Sequence, residues 1–333
     1  MSVPRLGFLG VGWIGRMRLK ALVESGCAEV VAIADPSETM RAGALEIAPR
    51  ARALSSMSEL LEEELDGVVI ATPSSQHAAQ SIAFLERGVP VFCQKPLGRD
   101  LAENRRVVEL AAERDLLLGV DLCYRQTRAM RALRELVRGG ELGHVYALDV
   151  VFHNAYGPDK PWFYQRSQSG GGCVMDLGIH LVDAALWLLD FPRVASVRSR
   201  LFAHGRPLVD EDGVEDYAFA QVDLDGERCL SIACSWNLPA GRDAVIEAKV
   251  YGTGGGAAFR NVNGSFFDFV CERYRGTSTE QLVHPPDDWG GRTLVSWARR
   301  LRESRRFDPE ARRILDVAAV LDAIYGRRAA PRP

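Results

Sequence analysis

The feature that most constrains this chain is a junction near its start. Arg5 to Leu9 (RLGFL) reads as a short apolar strand and runs directly into Gly10-Val11-Gly12-Trp13-Ile14-Gly15, followed by helical spacing through Leu22. G-x-G-x-x-G between a strand and a helix is the first turn of a doubly wound parallel sheet that binds a dinucleotide. Gly10 allows the tight turn, Gly12 lets a diphosphate approach the backbone, and Gly15 permits close helix–strand packing. The diphosphate would rest on free N–H groups at the helix start, beside Trp13 and Ile14. Glu29 to Ala34 (EVVAIA) reads as a second buried strand and ends at Asp35, about twenty residues past the last glycine, where a carboxylate accepts the ribose hydroxyls. It would repel a 2′-phosphate, which favours NAD over NADP. Arg41 is the nearby residue that could reach such a phosphate.

Apolar strands then alternate with helical stretches. The strands are Gly67 to Ala71, Val89 to Cys93 and Leu116 to Val120; the helices are Ser74 to Arg87 and Leu101 to Arg114. This alternation predicts a parallel sheet with helices on both faces, and ligands bind at the carboxyl ends of its strands. The residues leaving those ends are therefore candidates: Thr72, Pro73 and His77 after one strand, Gln94 and Lys95 after the next, and Asp121 to Arg125 after the third. Lys95 stands out because Pro96 restricts it directly after a buried strand.

The second half centres on Gly170 to Asp190 (GGGCVMDLGIHLVDAALWLLD). Helical spacing predicts one largely buried helix with Asp176, His180 and Asp183 on a single stripe. Polar groups sunk in such a helix need partners or a task. Further strands are expected over Val145 to Phe152, Ala195 to Phe202, Val214 to Leu224, Arg228 to Trp236 and Ala244 to Tyr251, with a hairpin at Asp225-Gly226. A helix is expected over Thr127 to Arg138, ended by Gly139-Gly140, and another over Ile314 to Tyr325. Gly252 to Gly256 lacks the Lys-Ser/Thr and the helix of a phosphate loop, and reads as a turn. The loop at Asn154 and the aromatic run at Trp162 suit a sugar ring, and such loop aromatics equally suit packing within the domain or at an interface.

The 333 residues are 47% hydrophobic and 26% charged, with a formal net charge of −3, and this near-neutral balance argues against nucleic acid or an anionic membrane as partner. The late arginines (Arg299, Arg300, Arg302, Arg305, Arg306), broken by Glu303, read as a solvated helix face. Seven scattered cysteines without a C-x-x-C pair read as reduced thiols and a cytoplasmic setting. No membrane-spanning run and no export signal is expected. His144, His153, His204 and His284 lack metal-ligand spacing, and no metal site is expected.

The fingerprint, T-P-x-x-x-H (Thr72 to His77), Lys95-Pro96 and D-x-x-x-H (Asp176, His180) together resemble the Gfo/Idh/MocA oxidoreductases, the group of glucose–fructose oxidoreductase and inositol dehydrogenase. The resemblance covers nearly the whole chain. It implies an α/β architecture: a Rossmann domain over 1–123, then a substrate-binding and oligomerisation domain over 124–333 with an open, mainly antiparallel sheet, whose last helix either stays with it or packs back on the first domain. It implies NAD bound between the domains, a homodimer or homotetramer, and oxidation or reduction of a secondary alcohol on a sugar, inositol or related polyol.

On this resemblance Lys95, Asp176 and His180 are the catalytic candidates. Gly10, Gly12, Trp13, Ile14, Gly15, Asp35, Thr72, Pro73, His77, Gln94 and Lys95 are the cofactor candidates, and Tyr124, Asn154 and Trp162 the substrate candidates. Asp183 is expected to be structural support. One departure stands out: the family usually carries glutamate before the lysine, and this chain has Gln94, which keeps the hydrogen bonding but loses a negative charge. Two alternatives stay open, a glycoside-processing enzyme that uses NAD without net redox change, and a dinucleotide-sensing binding protein.

Overall fold

A computed structural model describes residues 3–209 and 213–327 of the chain. The chain divides into two compact units, one running up to Cys123 with Gly290–Ile314 added, the other Tyr124–Trp289 with the chain from Leu315 onward.

The first unit runs β1 (Arg5–Leu9), α1 (Trp13–Ser25), β2 (Glu29–Ala34), α2 (Glu38–Leu45), β3 (Arg52–Leu54), α3 (Met57–Leu60), β4 (Gly67–Ile70), α4 (Ser74–Glu86), β5 (Val91–Cys93), α5 (Leu101–Glu113) and β6 (Leu118–Val120). Its six strands lie in the order β3-β2-β1-β4-β5-β6, and every pairing is parallel. Chain direction across the sheet reverses between β1 and β4, so the ligand crevice of a doubly wound sheet falls at the ends of these strands. The central strands are buried on both faces, as their continuous apolar runs require.

The expected second-domain span, 124–333, is interrupted. A helix over Arg292–Glu303 belongs to the first unit and sends Leu294, Trp297, Ala298 and Leu301 into the same core as Leu6, Phe8 and Phe92. Two glycines make room for it. A Cβ on Gly67 would lie 2.7 Å from the Trp297 ring, and one on Gly119 would lie 2.6 Å from it. The late arginines lie on or just past this helix and are paired: Arg300 with Asp308, Arg305 with Asp66, and Arg306 with Asp115.

The second unit opens with α6 (Arg128–Arg138), capped by Thr127, whose Oγ1 accepts from the Met130 N–H at 3.1 Å. Then come β7 (Val145–Asn154), α7 (Ile179–Leu188), β8 (Val194–Ala203), β9 (Arg206–Pro207), β10 (Tyr217–Leu224), β11 (Arg228–Ser235), β12 (Ala244–Gly252), β13 (Gly255–Asn261), β14 (Phe269–Arg275) and β15 (Ser278–Val283). The nine strands lie in the order β15-β14-β13-β12-β7-β11-β10-β8-β9. All pairings are antiparallel except β7 with β11. Asp225-Gly226 turns the β10–β11 hairpin, and Thr253-Gly254 joins β12 to β13.

The glycine-led run is not the single regular helix that its spacing predicts. A short helix (Arg166–Ser169) and a glycine corner precede one π-helical turn (Val174–Gly178), which passes into α7. Contrary to expectation, Arg166–Leu188 is long and apolar enough to cross a membrane by length and composition, but 89% of that window is buried in the protein. It is a core element covering one face of the large sheet. The seven cysteines are free thiols.

Candidate active site

At the nucleotide edge of the first unit each fingerprint glycine has a visible reason. Gly10 sits at φ +86°, and a Cβ there would meet the Ala71 carbonyl oxygen at 2.6 Å. A Cβ on Gly15 would lie 2.4 Å from the Gly10 carbonyl oxygen. Gly12 is different: a Cβ there would meet nothing within 4 Å. Its bareness leaves open space in front of α1, whose N-terminus no side chain caps. An uncapped helix start fronted by a bare glycine is the surface a diphosphate requires. Ile14 lies on α1, and Trp13 beside it is 67% exposed. Asp35 is buried and accepts from the Val11 N–H and the Ser37 N–H, each at 2.9 Å. These bonds hold the carboxylate at the end of β2 and leave it further lone pairs. Arg41 is turned to the Asp35 backbone, donating from Nη1 to its carbonyl at 2.6 Å. The residues present therefore fit a nicotinamide dinucleotide.

The loops after β4 and β5 are tied by one imidazole. His77, 1% exposed, faces the Pro96 carbonyl with Nδ1 and the Thr72 carbonyl with Nε2, each at 2.7 Å. Its ring nitrogens are thus committed to the two loops. Burial pushes its pKa below the ordinary value. Thr72 donates from Oγ1 to Gln80 Oε1 at 2.6 Å, and Pro73 precedes α4. Lys95, half-buried, follows β5 directly, and the Lys95–Pro96 peptide is cis. Gln94, just before it, donates from Nε2 to Asp121 Oδ2 at 2.5 Å, and Arg18 Nε donates to the same oxygen at 2.6 Å.

In the second unit the catalytic candidates sit on the π turn and on α7. His180 is buried, and the Tyr124 ring meets it edge-on at 4.9 Å between centroids. Tyr124 also packs on Trp289 at 5.4 Å and on Phe269 at 5.7 Å, so the imidazole lies against an aromatic cluster. Asp176 is half-buried and accepts from Trp236 Nε1 at 3.1 Å. Trp236 in turn is flanked by Phe163 and Tyr164 of the aromatic loop, where Trp162 stacks on Phe163 at 3.8 Å. Asn154 ends β7, and its Oδ1 is buried with no hydrogen-bond partner among the described residues. Asp183 has a different role. It is gripped by Arg125 through two hydrogen bonds, Nε to Oδ2 at 2.8 Å and Nη2 to Oδ1. Burial lifts its pKa, and Arg125 offsets part of that.

Three residues of this framework carried no signal in the sequence. Trp236 and Trp289 read only as apolar. Glu215 is fully buried and anchors the glycine corner: its carboxylate accepts from the Gly172 N–H at 2.9 and 3.0 Å, the Val174 N–H at 2.9 Å and Tyr325 Oη at 2.8 Å. A Cβ on Gly172 would lie 1.9 Å from the Glu215 carbonyl oxygen, which fixes that position as glycine.

The first unit carries the Lys-Pro loop at a strand end of its doubly wound sheet, and the second carries the Asp…His turn against its large mixed sheet. Two family models match: the oxidoreductase family with NAD-binding Rossmann fold over residues 4–122, and the GFO/IDH/MocA C-terminal domain over 130–258. The chain belongs to the Gfo/Idh/MocA family. It is 33% identical over 279 residues to the putative UDP-kanosamine synthase oxidoreductase subunit of Amycolatopsis mediterranei, covering 78% of this chain and 75% of that one. It is 31% identical to the rhizopine catabolism protein MocA of Rhizobium meliloti, covering 56% of this chain and 58% of that one. The chain thus spans less than two thirds of the length of the MocA relative. Levoglucosan dehydrogenase in complex with NADH and L-sorbose shares the fold, with a TM-score of 0.83 at 20% identity, covering 98% of this chain and 97% of that one.

Proposed function

We propose that the chain is an NAD-dependent dehydrogenase that interconverts a secondary alcohol and a ketone on a sugar, inositol or related polyol. The observation that carries this reading is the bare Gly12 before an uncapped α1, with Asp35 fixed at the end of β2. Relatives described as inositol 2-dehydrogenase and D-glucoside 3-dehydrogenase support the substrate class. Bound nicotinamide supplies the hydride acceptor or donor. Gly10, Gly12, Trp13, Ile14, Gly15 and Asp35 hold the dinucleotide, and Thr72, Pro73, His77, Gln94 and Lys95 shape the edge where it ends. NAD is favoured over NADP because Asp35 presents a carboxylate where a 2′-phosphate would go.

In the oxidative direction a ring nitrogen of His180 takes the hydroxyl proton as the carbinol carbon gives up hydride, and returns it in reduction. Such acid–base assistance contributes about 10²–10⁴ in rate. Lys95 Nζ donates to the reacting oxygen and stabilises alkoxide charge, an effect of about 3–4 kcal/mol. Asp176, held by Trp236, orients the reacting pair. Tyr124, Asn154 and Trp162 supply ring faces and a free acceptor for the remaining hydroxyls.

This reading also assigns self-association, as a homodimer or homotetramer, to the outer face of the large sheet. There Lys249, Asp149, Ser231, Gln221 and Arg198 form one row across five strands, and Phe219 is 42% exposed.

The test is absorbance at the reduced-nicotinamide band with NAD or NADP and a panel of inositols, aldoses, aminosugars and sugar acids. A signal that needs NAD and a polyol supports the reading. A silent preparation that binds NAD overturns it in favour of a no-net-redox enzyme or a sensor.

A further inference from the structure

Gln94 directly precedes Lys95, and its amide is held by buried partners. Asp121 ends the neighbouring strand β6, its N–H donating to the Cys93 carbonyl at 2.9 Å, as the Gln94 N–H donates to the Ile70 carbonyl at 2.9 Å. The two backbones are therefore locked side by side. Asp121 is 1% exposed, Arg18 4% and Gln94 6%. One carboxylate oxygen, Oδ2, takes both donors, Gln94 Nε2 at 2.5 Å and Arg18 Nε at 2.6 Å. Arg18 is steadied by its second bond, Nη1 to the Gly290 carbonyl at 2.5 Å.

The buried set is balanced, with one cation, one anion and one neutral donor. A glutamate at position 94 would put a second carboxylate against Asp121 Oδ2, and two buried carboxylates at that range cannot both ionise. The amide is thus demanded by Asp121. We propose that Asp121 is a positioning residue for Lys95: from the adjacent strand its buried carboxylate, held by Arg18, grips the Gln94 side chain and so fixes the start of the Lys95-Pro96 loop.

The charged and titratable groups around Asp121 are Arg18 from α1, Cys93 at the end of β5, Lys95 just after it and Cys123 past β6. Burial pushes both thiols up and keeps them protonated, and Arg18 stays charged. In Q94E the pH response is therefore carried by the introduced carboxyl.

The experiment compares wild type, Q94E, D121N and Q94E/D121N across pH by thermal midpoint, NADH binding and turnover. Relative to wild type, Q94E should lose least at mildly acid pH, where a proton on the introduced carboxyl restores the donor. As pH rises and that proton is lost, its thermal midpoint should fall and its kcat should drop at least about tenfold. D121N leaves Arg18 without its counter-ion and should be impaired at every pH. In the double variant the carboxylate and the amide exchange places, so kcat should recover at least about threefold over Q94E at the higher pH and the added pH dependence should disappear. If D121N fails to fold, Q94E against the double variant still decides.

Q94E tracking wild type at every pH, or a double variant no better than Q94E, overturns the proposal. So does a Q94E that loses stability equally at all pH with unchanged kcat, since that marks a purely structural contact. The role assigned to Lys95 rests on the proposed dehydrogenase reading. A wild type that binds NADH but turns over no substrate defeats that reading, while the pH-dependent midpoints still judge the charge set.

Discussion

Tyr325, just past the final helix Arg313–Ile324, donates its hydroxyl to Glu215 Oε1 at 2.8 Å, two residues before β10 of the large sheet begins. The same carboxylate holds the N–H groups of Gly172 and Val174. The far end of the chain thus fixes the entrance to the turn that carries Asp176 and His180. Burial raises the Glu215 pKa above its usual 4.5. The native state then binds that proton more readily than the unfolded chain does. Stability from this group therefore declines as pH climbs from about 4.5 through the raised value. Glu215→Gln removes the dependence, so its thermal midpoint relative to wild type should improve steadily with pH in that window. A constant offset would show that Glu215 does not titrate as described. Tyr325→Phe leaves the carboxylate one donor short and should cost about 1–3 kcal/mol in chemical denaturation.

Trp236 donates to Asp176 and is itself walled by Phe163 and Tyr164. Trp236→Phe keeps the wall and deletes the N–H. The expected result is a fall in kcat of about tenfold, equivalent to one lost hydrogen bond to a charged group, with little change in NADH affinity. Steady-state kinetics beside a binding titration checks it; equal losses in both would assign Trp236 to folding alone.

Trp297 carries the claim that Gly290–Ile314 belongs to the nucleotide unit. It packs on Phe92 at 5.7 Å between ring centroids and fills the space left by Gly67 and Gly119. Trp297→Ala should destabilise that unit by about 3–5 kcal/mol, lowering the thermal midpoint and weakening NADH binding together. An unchanged midpoint would mean that the helix is dispensable.

The nucleotide unit was legible because its signals are local. A fingerprint between strand and helix, continuous apolar strands and a terminal Asp35 all act within a few residues, and β1, β2, β4, β5 and β6 lie where the pattern puts them, within two residues at their ends. Short β3 and α2 escaped because they carry little apolar periodicity. In the second unit β13 begins with two glycines and β15 is polar, so neither reads as a strand, although pairing with their neighbours makes them so. The helix Arg292–Glu303 was visible only as basic residues; its four core positions make sense against a sheet far away in sequence. In the second unit, helical spacing placed Asp176, His180 and Asp183 on one stripe but could not show the π turn at Asp176 or the separate capture of Asp183 by Arg125. Glu215, Trp236 and Trp289 are partners across long sequence separations, which no local pattern encodes. Asp121, which accepts from the Gln94 amide, follows the next strand and meets it only in the folded sheet.

The most direct test of the whole account sets NADH binding beside turnover in wild type, Lys95→Ala and His180→Ala, using a polyol that wild type accepts. NADH affinity should stay within about threefold of wild type in both variants and turnover should fall by at least about a hundredfold, the lower bound for losing acid–base or alkoxide assistance. Near-normal turnover in both variants would contradict the assignment of the chemistry to these residues.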